Sequence, residues 1–171
     1  MSDDAFWRFS LRVYGTPGIE TICLDLQDRH GLDVNLVLFA GWLGTRGVRL
    51  TAGRRGALED RVRPWRDQAV CPLRAVRRDL KAWLGRPANE PVRDVIEGLR
   101  DRVKRAELDA EKVEQRLLVV VAAGWPADAA PGSDLVTENL EVVHGFAGER
   151  QAFRALVEAI GPAAGDVSRP V

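Results

Sequence analysis

The chain has 171 residues, 25 acidic and 25 basic side chains and a hydrophobic fraction of 46%. This length and apolar content fit one globular domain that folds without disulfides or metal. Cys23 and Cys71 lie in apolar helical patterns, and the acidic N-terminus lacks the order of a secretory signal, so we predict reduced thiols and a cytoplasmic protein. The longest apolar run, Leu36 to Leu43, falls short of the roughly 20 residues that span a bilayer, which excludes a membrane span.

Three short helices are predicted in the N-terminal third of the chain. Gly15 and Gly31 mark the ends of the first two, since glycine is common just past a helix terminus. Asp33 can cap the third helix, whose body, Val34 to Leu43, is apolar on nearly every side. A helix that is apolar all round is buried all round, so we expect this helix at the centre of the domain, with Gly44 as its terminator.

A long helical hairpin is predicted next. Apolar residues at steps of three and four run from Leu58 to Trp83, and Pro64 and Pro72 interrupt them, so this arm is kinked or split. The second arm has the strongest periodicity in the chain, a heptad seam that predicts a helix of about 30 residues and roughly 45 Å. The seam comprises Val92, Ile96, Leu99, Val103, Ala106, Ala110, Val113, Leu117 and Val120. A short Gly-Pro loop favours packing of the two arms within one chain over pairing with a second copy.

The C-terminal part reads as a loop followed by two helices. Residues 125–132 are rich in Pro, Ala and Gly, and apolar residues then mark helices around 135–143 and 153–160, the second ended by Gly161-Pro162. We therefore predict an all-α fold with a single helical domain over residues 1–162 and a disordered tail over 163–171. The domain comprises a compact N-terminal three-helix unit, a long kinked helical hairpin and a C-terminal helical pair.

Short motifs occur in a fixed order along the chain. They are Phe6-Trp7, Leu26-Gln27-Asp28, Gly31, Asp33-Val34-Asn35, Pro72-Leu73-Arg74 and the charged helix from Glu107 to Gln115. This order resembles an uncharacterised family of small helical cytoplasmic proteins from proteobacteria, a domain of unknown function. The resemblance implies a helical architecture and no chemistry.

Five polar residues surround the turn between the second and third predicted helices. Gln27, Asp28, His30, Asp33 and Asn35 form this corner. Asp28 near His30 can orient an imidazole or raise its pKa, as a general base requires. Alternatively, Asp33 is only a helix cap, Asn35 satisfies a turn, and Asp28 and Gln27 bond to loop amides. Both interpretations of the corner stay open from the sequence.

Other signatures of chemistry are absent or incomplete. The helices around Gly31 resemble a helix-turn-helix unit, but an acidic and apolar recognition helix would be repelled by phosphates. Glu141 and His144 have the Glu-x-x-His spacing of di-iron proteins, yet a second such motif is missing. No nucleotide, zinc or serine-hydrolase motif occurs. We predict no metal, no cofactor and no catalytic residue.

Basic residues are concentrated between Arg46 and Arg86. This block holds 12 basic and 4 acidic residues, a surplus of 8. The candidate anion-binding residues, Arg46, Arg49, Arg54 and Arg55, have no acidic neighbour in sequence before Glu59. A basic block can bind phosphates. The alternative is that it faces the acidic helix that follows it.

These observations favour a non-enzymatic protein-interaction or regulatory module with a protein partner. One alternative is a small-ligand binder or enzyme that uses the corner from Gln27 to Asn35. The other is a phosphate or RNA binder that uses the block from Arg46 to Arg86. A pocket at the turn would favour the former, and an uncovered basic surface the latter.

Overall fold

The protein is all-α, as predicted, in the part of the chain that the structure describes. This computed structural model describes residues 4–144 and 150–164. Its helices are α1 (Ala5–Tyr14), α2 (Ile19–His30), α3 (Val34–Thr45), α4 (Ala52–Trp65), α5 (Cys71–Leu84), α6 (Arg93–Ala122), α7 (Ser133–His144) and α8 (Arg150–Ala164). A π-helical segment, Arg66–Val70, joins α4 to α5, and a 3-10 turn, Pro87–Val92, joins α5 to α6.

Helix α3 is the centre of the core, which confirms the sequence prediction. All its residues from Val34 to Gly44 are buried, and α1, α2, α6, α7 and α8 pack around it. Gly44 does not end the helix, which continues to Thr45. A Cβ atom at Gly44 would lie 2.7 Å from the backbone nitrogen of Val136, so the missing side chain permits the close approach of α7.

The turn between α2 and α3 forms as its residues predict. Gly31 has a φ of 64°, the left-handed conformation that glycine adopts without strain. The Asp33 carboxylate accepts a hydrogen bond of 3.2 Å from the Leu36 N–H and caps α3. This cap fixes the position of Asp33 at the start of the most buried helix.

The kinked hairpin is also present. The π-helical segment lies between Pro64 and Pro72, and the arm formed by α4, this segment and α5 packs along α6. The Trp65 indole N–H donates a 2.9 Å hydrogen bond to the Ala110 carbonyl and joins the two arms. Helix α5, in contrast, buries none of its described residues, so the outer part of the hairpin projects from the domain.

The predicted heptad seam does not match the buried face of α6, and Leu99 in its N-terminal half is 41% exposed. Val113 is 39% exposed and Val120 66% exposed, although both were placed in the seam. The buried face includes Glu107, Glu114 and Leu118 beside the seam residue Ala110. The prediction missed this face because a hydrophobic pattern treats a glutamate as a solvent-facing residue.

The C-terminal helices complete the same core and form no separate unit. Helix α7 packs mainly on α3, and α8 packs on α1, α2 and α3. Helix α8 continues to Ala164, past the predicted end at Gly161-Pro162. Residues 165–171 lie outside the described residues, so the domain limit and the disordered tail stay predictions. None of the described helices is both long and apolar enough to cross a membrane.

Candidate functional site

A cleft of about 700 Å³ lies between the N-terminal helices and the hairpin. Its walls come from α1, α2, the start of α3, the π-helical segment, α5 and α6. Exposed apolar side chains line it, namely Leu11, Tyr14, Leu24 and Leu108. Its buried lining residues are mostly polar, in contrast: they are Ser10, Asn35, Glu107, Glu114 and Gln115, together with Val34 and Val70. The cleft therefore combines an apolar exposed part with a polar base.

A directional chain of hydrogen bonds forms the base of the cleft. The Ser10 hydroxyl is shared between the Phe6 carbonyl, at 3.0 Å, and Gln115 Oε1, at 3.3 Å. Gln115 Nε2 donates to Asn35 Oδ1 at 2.8 Å, and Asn35 Nδ2 donates to Glu114 Oε2 at 2.9 Å. Each hydrogen bond fixes the orientation of the next side-chain amide. The last amide, that of Asn35, therefore points its N–H group at Glu114.

Glu114 and Asp33 form a pair of carboxyl groups at the end of this chain. Glu114 is 1% exposed, and no donor reaches its Oε1 atom from the described residues. Burial, followed by the negative charge of Asp33, raises the pKa of Glu114 to about 9. Glu114 is therefore in the protonated form at neutral pH, and hydrogen bonding to the Asp33 side chain contributes to the raised pKa. The Asp33 carboxylate also lies 3.4 Å from Arg66 Nη1.

A second group of charges fixes the hairpin arm beside the cleft. Glu107 is 5% exposed and accepts hydrogen bonds from Arg74, at 3.3 Å, and from two nitrogens of Arg77. Arg74 also donates to Glu111 at 2.8 Å. Arg74 and Arg77 are thus paired with carboxylates of α6. Glu114 therefore has no direct cationic partner from α5.

The Cys23 thiol, which lies outside the cleft lining and beside Tyr14, is not an activated nucleophile. Burial raises the pKa of the Cys23 thiol to about 11 and also raises the pKa of Tyr14, which lies beside it. A thiol is nucleophilic as the thiolate, so this environment is the opposite of an activating one. The carboxyl pair can, however, bind a cation or exchange a proton with a bound molecule.

The five predicted corner residues divide into two sets. Asp33 and Asn35 belong to the polar base of the cleft, and Gln27 lines its edge. Asp28 and His30 are exposed and lie outside the lining. Asp28 pairs with Arg78, and this hydrogen bond lowers the pKa of the Asp28 carboxyl. The function of the corner stays a prediction, but its inner half contacts the buried network.

Sequence reasoning missed Ser10, Glu114 and Gln115. The available signal was the spacing of Ala110, Glu114 and Leu118, which places the glutamate on the same face as two apolar residues. A charged residue in phase with a buried face must find a partner or neutralise. That rule would have identified Glu114 without a structure.

The four candidate anion-binding arginines all contact other parts of the chain. The Arg46 guanidinium lies 4.9 Å from the Trp42 ring centroid, Arg49 pairs with Glu138, Arg54 pairs with Asp128 at 2.8 Å, and Arg55 pairs with Glu59 at 2.9 Å. The expectation of unneutralised cations considered only neighbours in sequence, whereas Asp128 and Glu138 approach from the C-terminal part. Anion binding by these residues stays a prediction.

Metal binding gains no support in the described part of the chain. Within it, no three His, Cys, Asp or Glu side chains come together as possible ligands. The side chain of His144 lies outside the described residues, so the predicted absence of a metal remains untested.

Comparison with known families identifies the matched region of the chain. Residues 5–118 match the family described as Protein of unknown function (DUF2390). The chain belongs to this family. All the residues that line the cleft, from Trp7 to Gln115, lie within the matched region, and α7 and α8 lie beyond it. No curated protein and no solved structure matches the chain. The resemblance to an uncharacterised helical family is thus confirmed, and its proteobacterial origin stays a prediction.

Proposed function

We propose that this protein binds a small organic molecule in the cleft between α1, α2 and the hairpin. The observation that carries the proposal is Glu114, a residue of the cleft lining whose buried Oε1 atom has no hydrogen-bond partner among the described residues. Buried polar atoms in folded proteins almost always have a hydrogen-bond partner, and exceptions call for a functional explanation. A ligand with a donor group would supply the missing bond.

The size and chemistry of the cleft support this function. Ligand sites in proteins are commonly about 300–1,000 Å³, with apolar walls and a few polar groups that fix orientation. The cleft of about 700 Å³ lies within that range and has this division. Leu11 and Leu24 are 54% and 46% exposed, which is a large apolar surface to leave in water beside a polar base. The whole lining lies within residues 5–118, the region that the family model matches.

The test is a fragment screen by ligand-observed NMR, with a library that includes amines, carboxylates and neutral molecules. Leu24→Trp narrows the apolar side of the cleft, and Val95→Trp is the matched control because Val95 is 65% exposed on the hairpin outside the lining. We expect fragments that bind the wild type and the control but lose affinity for Leu24→Trp. Absence of any binder, or binding that Leu24→Trp leaves unchanged, would contradict the proposal.

A second function, protein interaction through the hairpin, is supported by a separate observation. Trp83 is 46%, Val95 65% and Leu99 41% exposed on arms that project from the core. Exposed apolar groups at such a density are common at interaction surfaces. The test is reconstitution with a purified candidate partner, whose affinity should fall at least tenfold for Trp83→Glu and be unchanged for Leu24→Glu.

Phosphate or RNA binding by the basic block has less support, because its candidate arginines contact Glu59, Asp128, Glu138 and the Trp42 ring. Salt-sensitive RNA binding that is lost on replacement of these arginines would restore this alternative.

We also propose that the protein is cytoplasmic. Both cysteines are free thiols, which supports a reducing compartment.

A further inference from the structure

At the base of the cleft, hydrogen-bond acceptors remain without a donor. This excess of acceptors points to one kind of ligand. The hydrogen-bond chain ends with the Asn35 amide, which donates to Glu114 Oε2. Asn35 cannot rotate its amide to offer an acceptor there without losing its bond from Gln115. Glu114 Oε1 and the Asp33 carboxylate are the remaining polar atoms, and both are acceptors once the shared proton leaves.

The charges around Glu114 also favour a cation. Asp33 and Arg66 are the charged side chains that act on Glu114 directly. The rest of the cleft lining adds the cations Arg74, Arg77, Arg100 and Lys104 and the acids Glu20, Asp67, Glu107 and Glu111. Arg74 is bound by Glu107 and Glu111, and Arg66 by Asp33 and Asp67. An ionised Glu114 would therefore add a negative charge that no side-chain cation of the described chain offsets by direct contact.

We propose, on the premise that the cleft is a ligand site, that its ligand carries a protonated primary amine on an apolar body. The ammonium group donates N–H bonds to Glu114 and Asp33, and the body contacts Leu11, Tyr14 and Leu24. The Glu114 carboxyl releases its proton to solvent as the ammonium binds, so the ligand replaces the shared proton. Charge balances, because one cation enters as one proton leaves.

This exchange of a proton for an ammonium group predicts how the affinity changes with pH. Because the pKa of Glu114 is about 9, the proton competes with the ammonium at all lower pH values. Affinity should therefore rise close to tenfold per pH unit between about pH 6 and 8, and binding should release about one proton. A ligand held only by apolar contact would show neither effect.

The experiment uses three probes that share a phenyl group and differ in charge: 2-phenylethylammonium, 2-phenylethanol and 3-phenylpropanoate. Isothermal titration calorimetry at pH 7 in phosphate and in Tris reads both affinity and proton release. We expect the ammonium to bind at least tenfold more tightly than the alcohol and to release about one proton. Glu114→Gln should remove the preference and the proton release, whereas Glu97→Gln, exposed on α6 outside the cleft, should retain both.

A second variant covers the case in which Glu114→Gln does not fold. Asp33→Asn removes a charge from the pair and retains a good helix cap for α3, so it should fold and weaken the ammonium at least tenfold. Arg100 is a cation of the cleft lining. Equal or tighter binding of 3-phenylpropanoate, lost in Arg100→Gln, would overturn the amine assignment and leave small-ligand binding intact. If every fragment that binds in the cleft lacks an amine, the amine assignment is likewise overturned and small-ligand binding is retained. If no fragment of any class binds, both proposals fail.

Discussion

Two buried asparagines, Asn139 on α7 and Asn35 on α3, show how differently one side chain is used in this protein. Asn139 is fully buried and bonds only to backbone: it accepts from the Leu50 N–H at 2.7 Å and donates to the carbonyls of Val48, at 2.9 Å, and Ala40, at 3.2 Å. Asn35 bonds through its amide to two side chains of α6, Glu114 and Gln115.

The difference separates a structural network from one that can respond to a ligand. Backbone groups neither titrate nor change rotamer, so the Asn139 bonds tie α7 to α3 and to the segment after it under all conditions. Glu114 can gain or lose a proton, and it has an oxygen without a donor. The region around Asn139 lies partly beyond the matched family region, whereas the network around Asn35 lies inside it.

The largest expected effect is on the structural network. Asn139→Ala should lower the free energy of unfolding by roughly 3–5 kcal/mol, because it leaves a buried N–H and two carbonyls without partners. Urea denaturation at pH 6 and pH 8 should give the same loss at both values. Glu141→Gln, at an exposed position of the same helix, is the control. A loss below about 1 kcal/mol would mean that other groups replace the Asn139 bonds.

The next effect is a pH dependence that belongs to Glu114 alone. Its pKa is raised from an ordinary value of 4.5 to about 9, so its stabilising contribution is complete below about pH 4.5 and is lost as pH rises towards 9. Relative to Glu114→Gln, the wild type should lose on the order of 1 kcal/mol of stability per pH unit between pH 6 and 8. Parallel pH profiles of the two proteins would show that Glu114 is ionised when folded.

A smaller effect is expected from Asn35→Ala, at roughly 1–2 kcal/mol near pH 6. The Asn35 hydrogen bond lowers the pKa of Glu114, so its removal should also move the titration of Glu114 to higher pH. NMR of a ¹³C-labelled glutamate carboxyl can follow that titration. A double-mutant cycle with Glu114→Gln measures the coupling, and strict additivity would contradict a shared network.

The smallest effect is expected outside the cleft, at Asp28. Its pair with Arg78 is about half exposed, and exposed ion pairs contribute between about 0 and 1 kcal/mol, so Asp28→Asn should change stability by less than about 1 kcal/mol. Fragment binding should be unchanged, whereas Asp33→Asn should weaken it. Loss of binding in Asp28→Asn would return the outer half of the corner to the functional site.

The fold was largely predictable because its signals are local. The uninterrupted apolar run of α3 predicted a central helix, and Pro64 and Pro72 predicted the break in the hairpin arm. The site was predictable only in part. Asp33 and Asn35 were identified from the turn that holds them, but Glu114 and Ser10 reach the same point from positions distant in sequence. The burial of Glu114 depends on which face of α6 points to the core. A hydrophobic pattern does not show that face, because part of it is polar.

Ion pairs between distant parts of the sequence also account for the arginines that have no acidic neighbour along the chain. Arg54 and Asp128 are 74 positions apart, and Arg49 and Glu138 are 89 apart. Charge patterning along a sequence detects neighbours within a helical turn, and it has no access to pairs that only the tertiary fold creates. Prediction of binding from a basic block therefore requires knowledge of what covers it.

The π-helical segment Arg66–Val70 also sets the rotational phase of the hairpin arm. The Cys71 N–H bonds to the Arg66 carbonyl, five residues back, and Pro72 has no N–H with which to continue an α-helical pattern. An extra residue in one turn rotates everything after it by about 100° relative to an uninterrupted helix. Deletion of the exposed Gln68 would convert the segment to an ordinary turn and carry Arg74 and Arg77 away from Glu107. The width of the cleft thus depends on residue count in this arm, so a one-residue deletion should alter the cleft more than many substitutions of its walls.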